Sequence, residues 1–365
     1  MCRRKRSDMK IAVIGDLHWG ARNDNQEFLN YFQRFFDNVF FPELEERGIS
    51  NVLQVGDFVD RRKFISFVTL NHVREKIFGE SHKRGITWDI LVGNHDTPYK
   101  NTNEINSLQE LFSQYKGINF YPDPTEINFD GLDILLLPWI NIGNHTTSMK
   151  AINETKAQVA FGHLEINGFE MHPGAICDHG IEASLFNKFD MVCSGHFHKK
   201  SNSSNIFYLG TPYQIMWTDY NQEKGFYIFD TDTRDLEFIP NPYTLFHKVW
   251  YDDAGKTLEK ILSTDLGHLS KAYVKVIVKS KENPYWFDLF MSKIYNLAPI
   301  DVSIVDDHYH LDEISEEDLV SEAEDTLTIL SKYINELDYS VDKKELDNLM
   351  RGLYNEALTL ETIYD

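Results

Sequence analysis

Long apolar runs are missing from this 365-residue sequence, and none approaches the roughly 18 residues that a membrane-spanning helix requires. This absence predicts a soluble chain that has no membrane partner. Cysteine is also scarce, because only three cysteines occur and no two of them form a CxxC pair. We therefore expect neither a disulfide framework nor structural zinc, and we expect a reducing, cytoplasmic location.

Positive charge is in short supply, since 36 lysines and arginines stand against 57 acidic residues and give a formal net charge of −21. A chain this acidic is not expected to coat nucleic acid or an anionic membrane with its whole surface. Residues 301–365 hold 19 acidic and 4 basic residues, a net −15, which leaves −6 for the first 300 residues. Any site for an anionic substrate must therefore be local.

The first 240 residues contain short β-branched apolar runs that end abruptly in glycine and polar residues, with longer amphipathic stretches between the early runs. This alternation is typical of an α/β fold in which helices cover buried strands. The predicted strands are residues 11–14, 51–55, 87–92, 133–137, 158–161 and 190–193, and the predicted helices are residues 27–47 and 66–84. Tighter runs at 206–209, 225–229 and 236–239 predict antiparallel hairpins.

The pattern changes after the first 240 residues. Short strand-like and helical stretches in residues 243–306 predict a small α+β domain, and an acidic linker at 307–318 precedes two amphipathic helical patterns in 319–365. The predicted parts are thus a basic extension (1–8), a main domain (9–242), the small domain, the linker and a helix pair. The two helices either bury their apolar stripes on a partner or pack on each other.

Five polar motifs each lie directly after a predicted strand. In an α/β layer the carboxyl ends of the strands lie along one edge, where loops converge and ligands bind. We therefore expect these motifs to meet at one site. The motifs are Asp16-Leu17-His18, Gly56-Asp57, Gly93-Asn94-His95-Asp96, Gly162-His163 and Gly195-His196-Phe197-His198.

The motifs offer seven oxygen and nitrogen ligands and no thiolate, a set that suits manganese, iron, zinc or magnesium. Seven ligands exceed what one ion takes while leaving room for a substrate, which predicts two ions about 3.5 to 4 Å apart with Asp57 as the bridge. The remaining ligands divide into Asp16, His18 and His198 for one ion and Asn94, His163 and His196 for the other.

Electrostatics then indicate the substrate. Two divalent ions and two aspartates leave about +2 in the cavity, which would attract a phosphate, and hydroxide held between the ions would attack phosphorus. His95 is adjacent in sequence to a ligand but has no metal assigned to it. We predict that His95, oriented by Asp96, assists the leaving oxygen as an acid or hydrogen-bond donor.

This constellation resembles the calcineurin-like metallophosphoesterases, whose DxH, GD, GNH(D/E), GH and GHxH motifs occur here complete and in order. Further motifs are similar to those of SbcD-type DNA-repair nucleases, and most of all to the recombination endonuclease subunits of tailed phages. These motifs are Asp57-Phe58-Val59-Asp60 with Arg61 and Arg62, Pro138-Trp139, Gly210-Thr211-Pro212 and the run from Phe229 to Pro240.

The resemblance implies a four-layer α-β-β-α sandwich with a small α+β capping domain and a C-terminal helix pair. It implies that the capping domain (243–306) guides DNA and that the helices (319–365) bind an SMC-like coiled-coil ATPase, with the nuclease as a homodimer within a heterotetramer. The implied cofactors are two divalent ions, Mn²⁺ by preference with Mg²⁺ possible. A phage-encoded chain of this kind would act in the host cytoplasm.

The predicted function is therefore hydrolysis of phosphodiester bonds at DNA ends, as an exonuclease, an endonuclease or both, in recombination or repair. Two alternatives remain open: a metallophosphatase or cyclic-nucleotide phosphodiesterase acting on a small or phosphoprotein substrate, and a non-catalytic scaffold. Asp60 either supports a ligand or caps a helix. Three positively charged residues, Arg61, Arg62 and Lys63, either contact DNA or face solvent. The early apolar positions Phe28, Tyr31, Phe35 and Val39 either form a dimer contact or face the sheet.

Overall fold

A computed structural model describes residues 10–172, residues 175–306 and the single residue Leu346. The chain divides into two units, Met1–Val305 and Asp306–Asp365, and the described residues lie in the first unit apart from Asp306 and Leu346. The predictions for the basic extension, the acidic linker and the C-terminal helix pair therefore lie outside the described residues, Leu346 excepted.

The described strands agree closely with the apolar runs of the sequence. In chain order they are β1 (Lys10–Ile14), β2 (Asn51–Gln54), β3 (Thr87–Leu91), β4 (Ile118–Tyr121), β5 (Thr125–Phe129), β6 (Leu132–Leu137), β7 (Val159–His163), β8 (Glu170–His172), β9 (Ala175–Ile176), β10 (Met191–Gly195), β11 (Ser201–Ser203), β12 (Ile206–Tyr208), β13 (Gly225–Asp230), β14 (Leu236–Pro240), β15 (Phe246–Asp252), β16 (Tyr273–Ser280) and β17 (Asp301–Asp306).

Helices fill most of the long connections between these strands. The α-helical segments are Ala21–Asp24, Gln26–Phe35, Phe41–Arg47, Phe67–His72, Gly79–Arg84, Ser107–Phe112, His145–Glu154, Leu258–Leu262 and Pro284–Tyr295. Two π-helical segments, Phe36–Phe40 and Val73–Phe78, join their α-helical neighbours, so the predicted helices 27–47 and 66–84 are each nearly continuous. Short 3₁₀ turns occur at Ala183–Phe186, Trp217–Asp219 and Gly267–Leu269.

Two six-stranded sheets form the body of the molecule. The first sheet has the order β14-β13-β1-β2-β3-β4, in which β1 to β4 run parallel, and the second has the order β11-β12-β10-β7-β6-β5. The predicted hairpin of β13 and β14 is antiparallel, and it returns to the first sheet beside β1. Strand β12 instead joins the second sheet, parallel to β10 and antiparallel to β11.

Alternating side chains show how the layers stack, because successive residues of a strand point to opposite faces. In β1, Ile11 and Val13 enter an apolar cluster shared with the second sheet, whereas Ala12 and Ile14 pack on the early helices. In β6, Ile134 enters the same shared cluster, whereas Leu135 belongs to the cluster that contains Ile152 of the helix His145–Glu154. The layers are therefore helix, sheet, sheet and helix, which confirms the predicted fold class.

The apolar positions of the early helices face the first sheet. Phe28, Tyr31 and Phe35 are buried in the cluster that covers this sheet, and Val39 is partly buried against it. The interpretation of these positions as a dimer contact is therefore wrong. An amphipathic pattern shows only that one face is apolar, so it did not distinguish a partner from the chain's own core.

Residues from Phe246 onward build a smaller sheet with the order β15-β16-β17 and its own apolar cluster. Strands β15 and β16 are parallel, and the helix Pro284–Tyr295 buries Phe287 and Phe290 against them. The start of this region packs on the main body, since Phe28 contacts the rings of Phe246 and Tyr273. Within 10–172 and 175–306, no helix combines the length and apolar character needed to cross a bilayer.

Candidate metal centre

The predicted ligands all lie at the carboxyl ends of strands, but the strands belong to two different sheets. The first sheet positions Asp16 and His18 after β1, Asp57 after β2 and Asn94 after β3. The second sheet positions His163 as the last residue of β7, and His196 and His198 after β10. Packing of the two sheets brings these ends together.

One group of ligand-type atoms is formed by Asp16, His18 and His198, and all of its atoms lie within 4.8 Å of one another. The Nε2 atoms of His18 and His198 are 3.1 Å apart, and His198 Nε2 is 4.0 Å from Asp16 Oδ2. Two imidazole nitrogens this close share at most one proton, so a lone pair faces the space between them. This convergence is typical of a metal site.

A second group contains Asp57, His163 and His196 under the same 4.8 Å limit. His163 Nε2 lies 3.3 Å from Asp57 Oδ2, and Asn94 Oδ1 lies 2.9 Å from His163 Nε2 and 3.0 Å from His196 Nδ1. The asparagine oxygen thus points to the same space as the two rings. The donors of both groups are oxygens and imidazole nitrogens, which fit divalent cations such as manganese, zinc or magnesium.

The two groups are continuous with each other. His163 Nδ1 is 3.6 Å from Asp16 Oδ1, and His18 Nε2 is 3.8 Å from Asp57 Oδ2, so Asp57 approaches both groups. This position is what a bridging carboxylate requires. His95 forms a further group of ligand-type atoms with His18 and Asp57, although its Nδ1 atom contacts the main-chain carbonyl of Asp60.

The two aspartates are buried and respond differently to their surroundings. Burial raises the pKa of Asp16 to about 6, although the charge of His163 partly offsets it. Burial also opposes ionisation of Asp57, but the charges of His163 and His95 outweigh it and hold the pKa of Asp57 well below its usual range. The best-stabilised anion is therefore the carboxylate that lies between the two groups.

The four predicted histidine ligands divide into two pairs. Burial lowers the pKa of His18 and His163, but nearby carboxylates outweigh it and raise both to about 9. Burial lowers the pKa of His196, and burial with the charge of His18 lowers that of His198 well below its usual value. In the absence of metal, two imidazolium ions thus balance the carboxylates, and a divalent ion would displace those protons.

The backbone at several ligands adopts conformations that ordinary residues avoid. His18, Asp57 and His196 have φ angles of 47°, 54° and 85°. Non-glycine residues with positive φ are uncommon, and they cluster at functional sites where the surrounding fold maintains them. The sharp turns directly after the strands therefore aim three predicted ligands into one space.

Glycines in the motifs permit the close approach of the loops. Gly56 has a φ of +98°, and a Cβ atom there would overlap the ring of His163. At Gly195, a Cβ atom would overlap Asp16 Oδ1 and the main-chain oxygen of Val55. Gly56, which precedes Asp57, and Gly195, which precedes His196, are thus steric requirements of the site.

Neighbouring groups hold two of the imidazole rings from behind. His163 Nδ1 lies 2.8 Å from the main-chain oxygen of Val55, and His18 Nδ1 lies 3.2 Å from Asp60 Oδ1. The hydrogen bond from His163 to Val55 fixes the tautomer and orientation of that ring, whereas Asp60 acts on His18 as a close negative charge. Asp60 is therefore placed to support His18, whereas Ser66 is the residue that caps the following helix.

The carboxylate of Asp96 contacts backbone amides, and not the imidazole of His95 as we predicted. Its Oδ1 accepts the backbone N–H groups of Phe58 and Val59, both at 3.0 Å, and its Oδ2 accepts that of Gly93 at 2.8 Å. Burial and the charge of Asp57 raise the pKa of Asp96 to about 7. The expectation that Asp96 orients the imidazole of His95 is wrong, because the carboxylate ties the loops after β2 and β3 together.

Two residues beside the centre were not among the predicted site residues. The ring of Trp139 lies 5.0 Å from that of His196, and Glu165 Oε1 lies 3.8 Å from His196 Nε2. Each follows a strand of the second sheet, β6 or β7, so the rule that found the ligands could also have found them. Glu165 also joins Cys177 and the exposed His179 in a separate group of ligand-type atoms.

Comparisons with known proteins identify the family of the chain. Residues 9–200 match the family described as calcineurin-like phosphoesterase, and the chain belongs to that family. The chain is 33% identical over 352 residues to Exonuclease subunit 1 of Enterobacteria phage T4, covering 96% of this chain and 99% of that protein. It is 23% identical over 268 residues to the SbcD subunit of the nuclease SbcCD from Staphylococcus epidermidis, covering 64% and 69%. The chain is therefore a metal-dependent hydrolase of phosphoesters.

Proposed function

We propose that this protein is a two-metal DNA nuclease that hydrolyses phosphodiester bonds at DNA ends and works with an SMC-like ATPase. The observation that carries the proposal is the convergence of two acid and histidine groups, with Asp57 between them. The similar proteins from phage T4 and Staphylococcus epidermidis are named as an exonuclease and a nuclease subunit. These names support a nucleic acid as the substrate and a multi-subunit assembly.

In this proposal Asp16, His18 and His198 hold one ion, Asn94, His163 and His196 hold the other, and Asp57 bridges them. Two bound divalent ions, Mn²⁺ by preference, would polarise the phosphate and make a water-derived nucleophile available near neutral pH. The chain's own contribution is to fix these ligands before the substrate arrives.

His95 is the proposed catalytic residue that is not assigned to a metal. The Nδ1–H of His95 donates a hydrogen bond to the main-chain carbonyl of Asp60, which leaves Nε2 as the ring nitrogen that can exchange a proton with the substrate. The backbone N–H of His95 donates to Asp57 Oδ1 at 2.7 Å, so the residue is anchored to the proposed bridging ligand. His95 would then donate a proton or hydrogen bond to the leaving oxygen.

Two arginines follow Asp60, and they differ in their partners. Arg61 pairs with Asp24, whereas Nη1 of Arg62 is buried with no hydrogen-bond partner among the described residues. Burial lowers the pKa of Arg62, and the negative charge of Asp57 only partly offsets this effect. The influence of Asp57 shows that the guanidinium is within electrostatic reach of the centre. We assign Arg62 to a phosphate of the DNA backbone.

The deciding experiment compares DNA with small phosphoesters. The purified protein, with Mn²⁺ or Mg²⁺, is incubated with end-labelled duplex DNA, single-stranded DNA, a phosphomonoester and a cyclic nucleotide. We expect metal-dependent shortening of labelled DNA and slower turnover of the small esters, and the same assay reports polarity. Rapid turnover of a small ester with intact DNA ends would instead support a metallophosphatase.

A matched control separates the site from the rest of the surface. His95→Ala removes the proposed acid, whereas His82→Ala removes an exposed histidine of the helix Gly79–Arg84. Equal activity of the two variants would contradict the role of His95. If the unmodified protein and both variants bind two ions but show no metal-dependent activity, that result would favour the scaffold alternative.

A further inference from the structure

A buried lysine lies directly behind one of the predicted metal ligands. Lys224 is 4% exposed, and its Nζ donates to the main-chain oxygen of His198 at 2.8 Å. The same Nζ lies 2.5 Å from Asp219 Oδ1, and Asp219 is 1% exposed. The ammonium group thus connects a buried carboxylate to the backbone of the ligand loop after β10.

The carboxylate is itself held in place. Asp219 Oδ2 accepts the backbone N–H groups of Ile215 at 2.8 Å and Met216 at 3.0 Å. Gln214 Nε2 donates to the main-chain oxygen of Asp219 at 3.1 Å, and Gln214 Oε1 accepts the N–H of Leu245 at 2.7 Å. The loop that carries Asp219 is therefore clamped between the main body and the start of β15.

Burial of a lysine ammonium is costly unless its charge and its donors are satisfied. Asp219 balances the charge, yet one donor is directed to the carbonyl of His198 rather than to another carboxylate oxygen. The backbone N–H of Thr211 also donates to this carbonyl, at 3.2 Å. Lys224 and Thr211 thus both donate to the main-chain carbonyl of His198, whose ring faces that of His18.

We propose that Lys224 is a positioning residue for the metal centre, and that it acts through the backbone of His198. With its carbonyl fixed, His198 presents Nε2 at 3.1 Å from His18 Nε2. Contacts that orient ligands from behind typically change metal affinity by about 10- to 100-fold when removed. The inference rests on the proposed role of His198 as a ligand of one ion.

The test measures binding of Mn²⁺ to the full chain by electron paramagnetic resonance, apart from any activity measurement. Lys224→Met removes the donor but leaves Asp219 as an unpaired buried charge. The double variant Asp219→Asn with Lys224→Met removes both charges, and the amide oxygen that it introduces can still accept the N–H groups of Ile215 and Met216. Lys200→Met is the control, because Lys200 pairs with Glu223 at 2.6 Å on the exposed side of the same loops.

We expect both Lys224 variants to bind one of two Mn²⁺ ions about 10- to 100-fold more weakly, with the second ion little changed. The control should bind both ions as the unmodified protein does. Normal affinity for both ions in the folded double variant would overturn the inference. Loss of folding in every Lys224 variant would also overturn it, because Lys224 would then serve the fold as a whole.

The same measurement separates this inference from the proposed function. If the unmodified protein binds no Mn²⁺ and does not cleave DNA, the proposed metal centre fails. If the unmodified protein binds two ions and cleaves DNA but the Lys224 variants bind normally, only the positioning role fails.

Discussion

The two six-stranded sheets contribute different chemistry to the candidate centre. The first sheet positions the predicted oxygen ligands, Asp16, Asp57 and Asn94, with a single histidine, whereas the predicted ligands on the second sheet are all imidazoles. Neither set alone supplies enough ligands for two divalent ions. The difference teaches that the candidate centre forms only where the two sheets pack together.

Polar contacts reinforce this edge of the sandwich. His196 N donates to Asp16 Oδ2 at 3.0 Å, and the backbone N–H of Trp139 donates to the oxygen of Val92 at 2.8 Å. Each bond joins a strand end of one sheet to a strand end of the other. The apolar cluster between the sheets and these bonds together keep the two ligand sets in register.

Removal of the shared carboxylate should have the largest effect. Asp57 approaches both groups of ligands, so Asp57→Ala should lose both ions and all detectable hydrolysis. His196→Ala, which changes a ligand of the second sheet alone, should lose one ion. Metal content by mass spectrometry and DNA cleavage measure both effects, and two retained ions in Asp57→Ala would refute the bridging role.

Loss of His95 should separate chemistry from metal binding. His95→Ala is expected to keep both ions and DNA affinity while kcat falls by about 10² to 10⁴-fold, which is the usual contribution of acid or base assistance. Single-turnover cleavage and Mn²⁺ titration provide the two readouts. A rate close to that of the unmodified protein would remove His95 from its proposed role.

A smaller effect should follow from the support behind His18. Asp60→Asn weakens the contact to His18 Nδ1 but keeps the main-chain carbonyl that faces His95. We expect affinity for one ion to fall by about 10- to 100-fold. Isothermal titration with Mn²⁺ measures this change, and equal weakening of both ions would show that the two groups do not behave as separate sites.

The smallest effect should come from the neighbouring arginines. Arg62→Gln should raise KM for DNA and reduce the slope of affinity against salt by about one phosphate contact, with kcat unchanged. Arg61→Gln is the matched variant, because Arg61 already pairs with Asp24, and its salt slope should not change. If both variants show the same slope of DNA affinity against salt, Arg62 does not contact a DNA phosphate.

Much of the fold followed from the sequence because its local signals agree. Buried strands of the two sheets are near-continuous apolar runs ending in glycine, and the observed β1, β2 and β3 start and end within one residue of the predicted runs. Strands β4 and β5 were not predicted. They mix polar residues with apolar ones and are only partly buried, so their apolar signal is weak.

The site was predictable as a set of strand-end residues, whereas individual contacts were not. Asp96 follows His95 in the chain, and this adjacency suggested a contact, but its carboxylate bonds to amides 37 and 38 residues earlier. Lys224 gave no signal, because its role depends on a carbonyl 26 residues away. Such partners are set by tertiary packing, which local pattern does not encode.

The place of β1 in the first sheet has a consequence for synthesis of the protein. β1 lies between β2 and β13, and its residues Lys10 to Val13 pair with Asp230 to Tyr227. A nascent chain on the ribosome therefore leaves one edge of β1 open until about 230 residues have been translated, and an open edge invites pairing with other chains. Truncated translation products, which lack this closing strand, should accumulate as aggregates rather than as partly active enzymes.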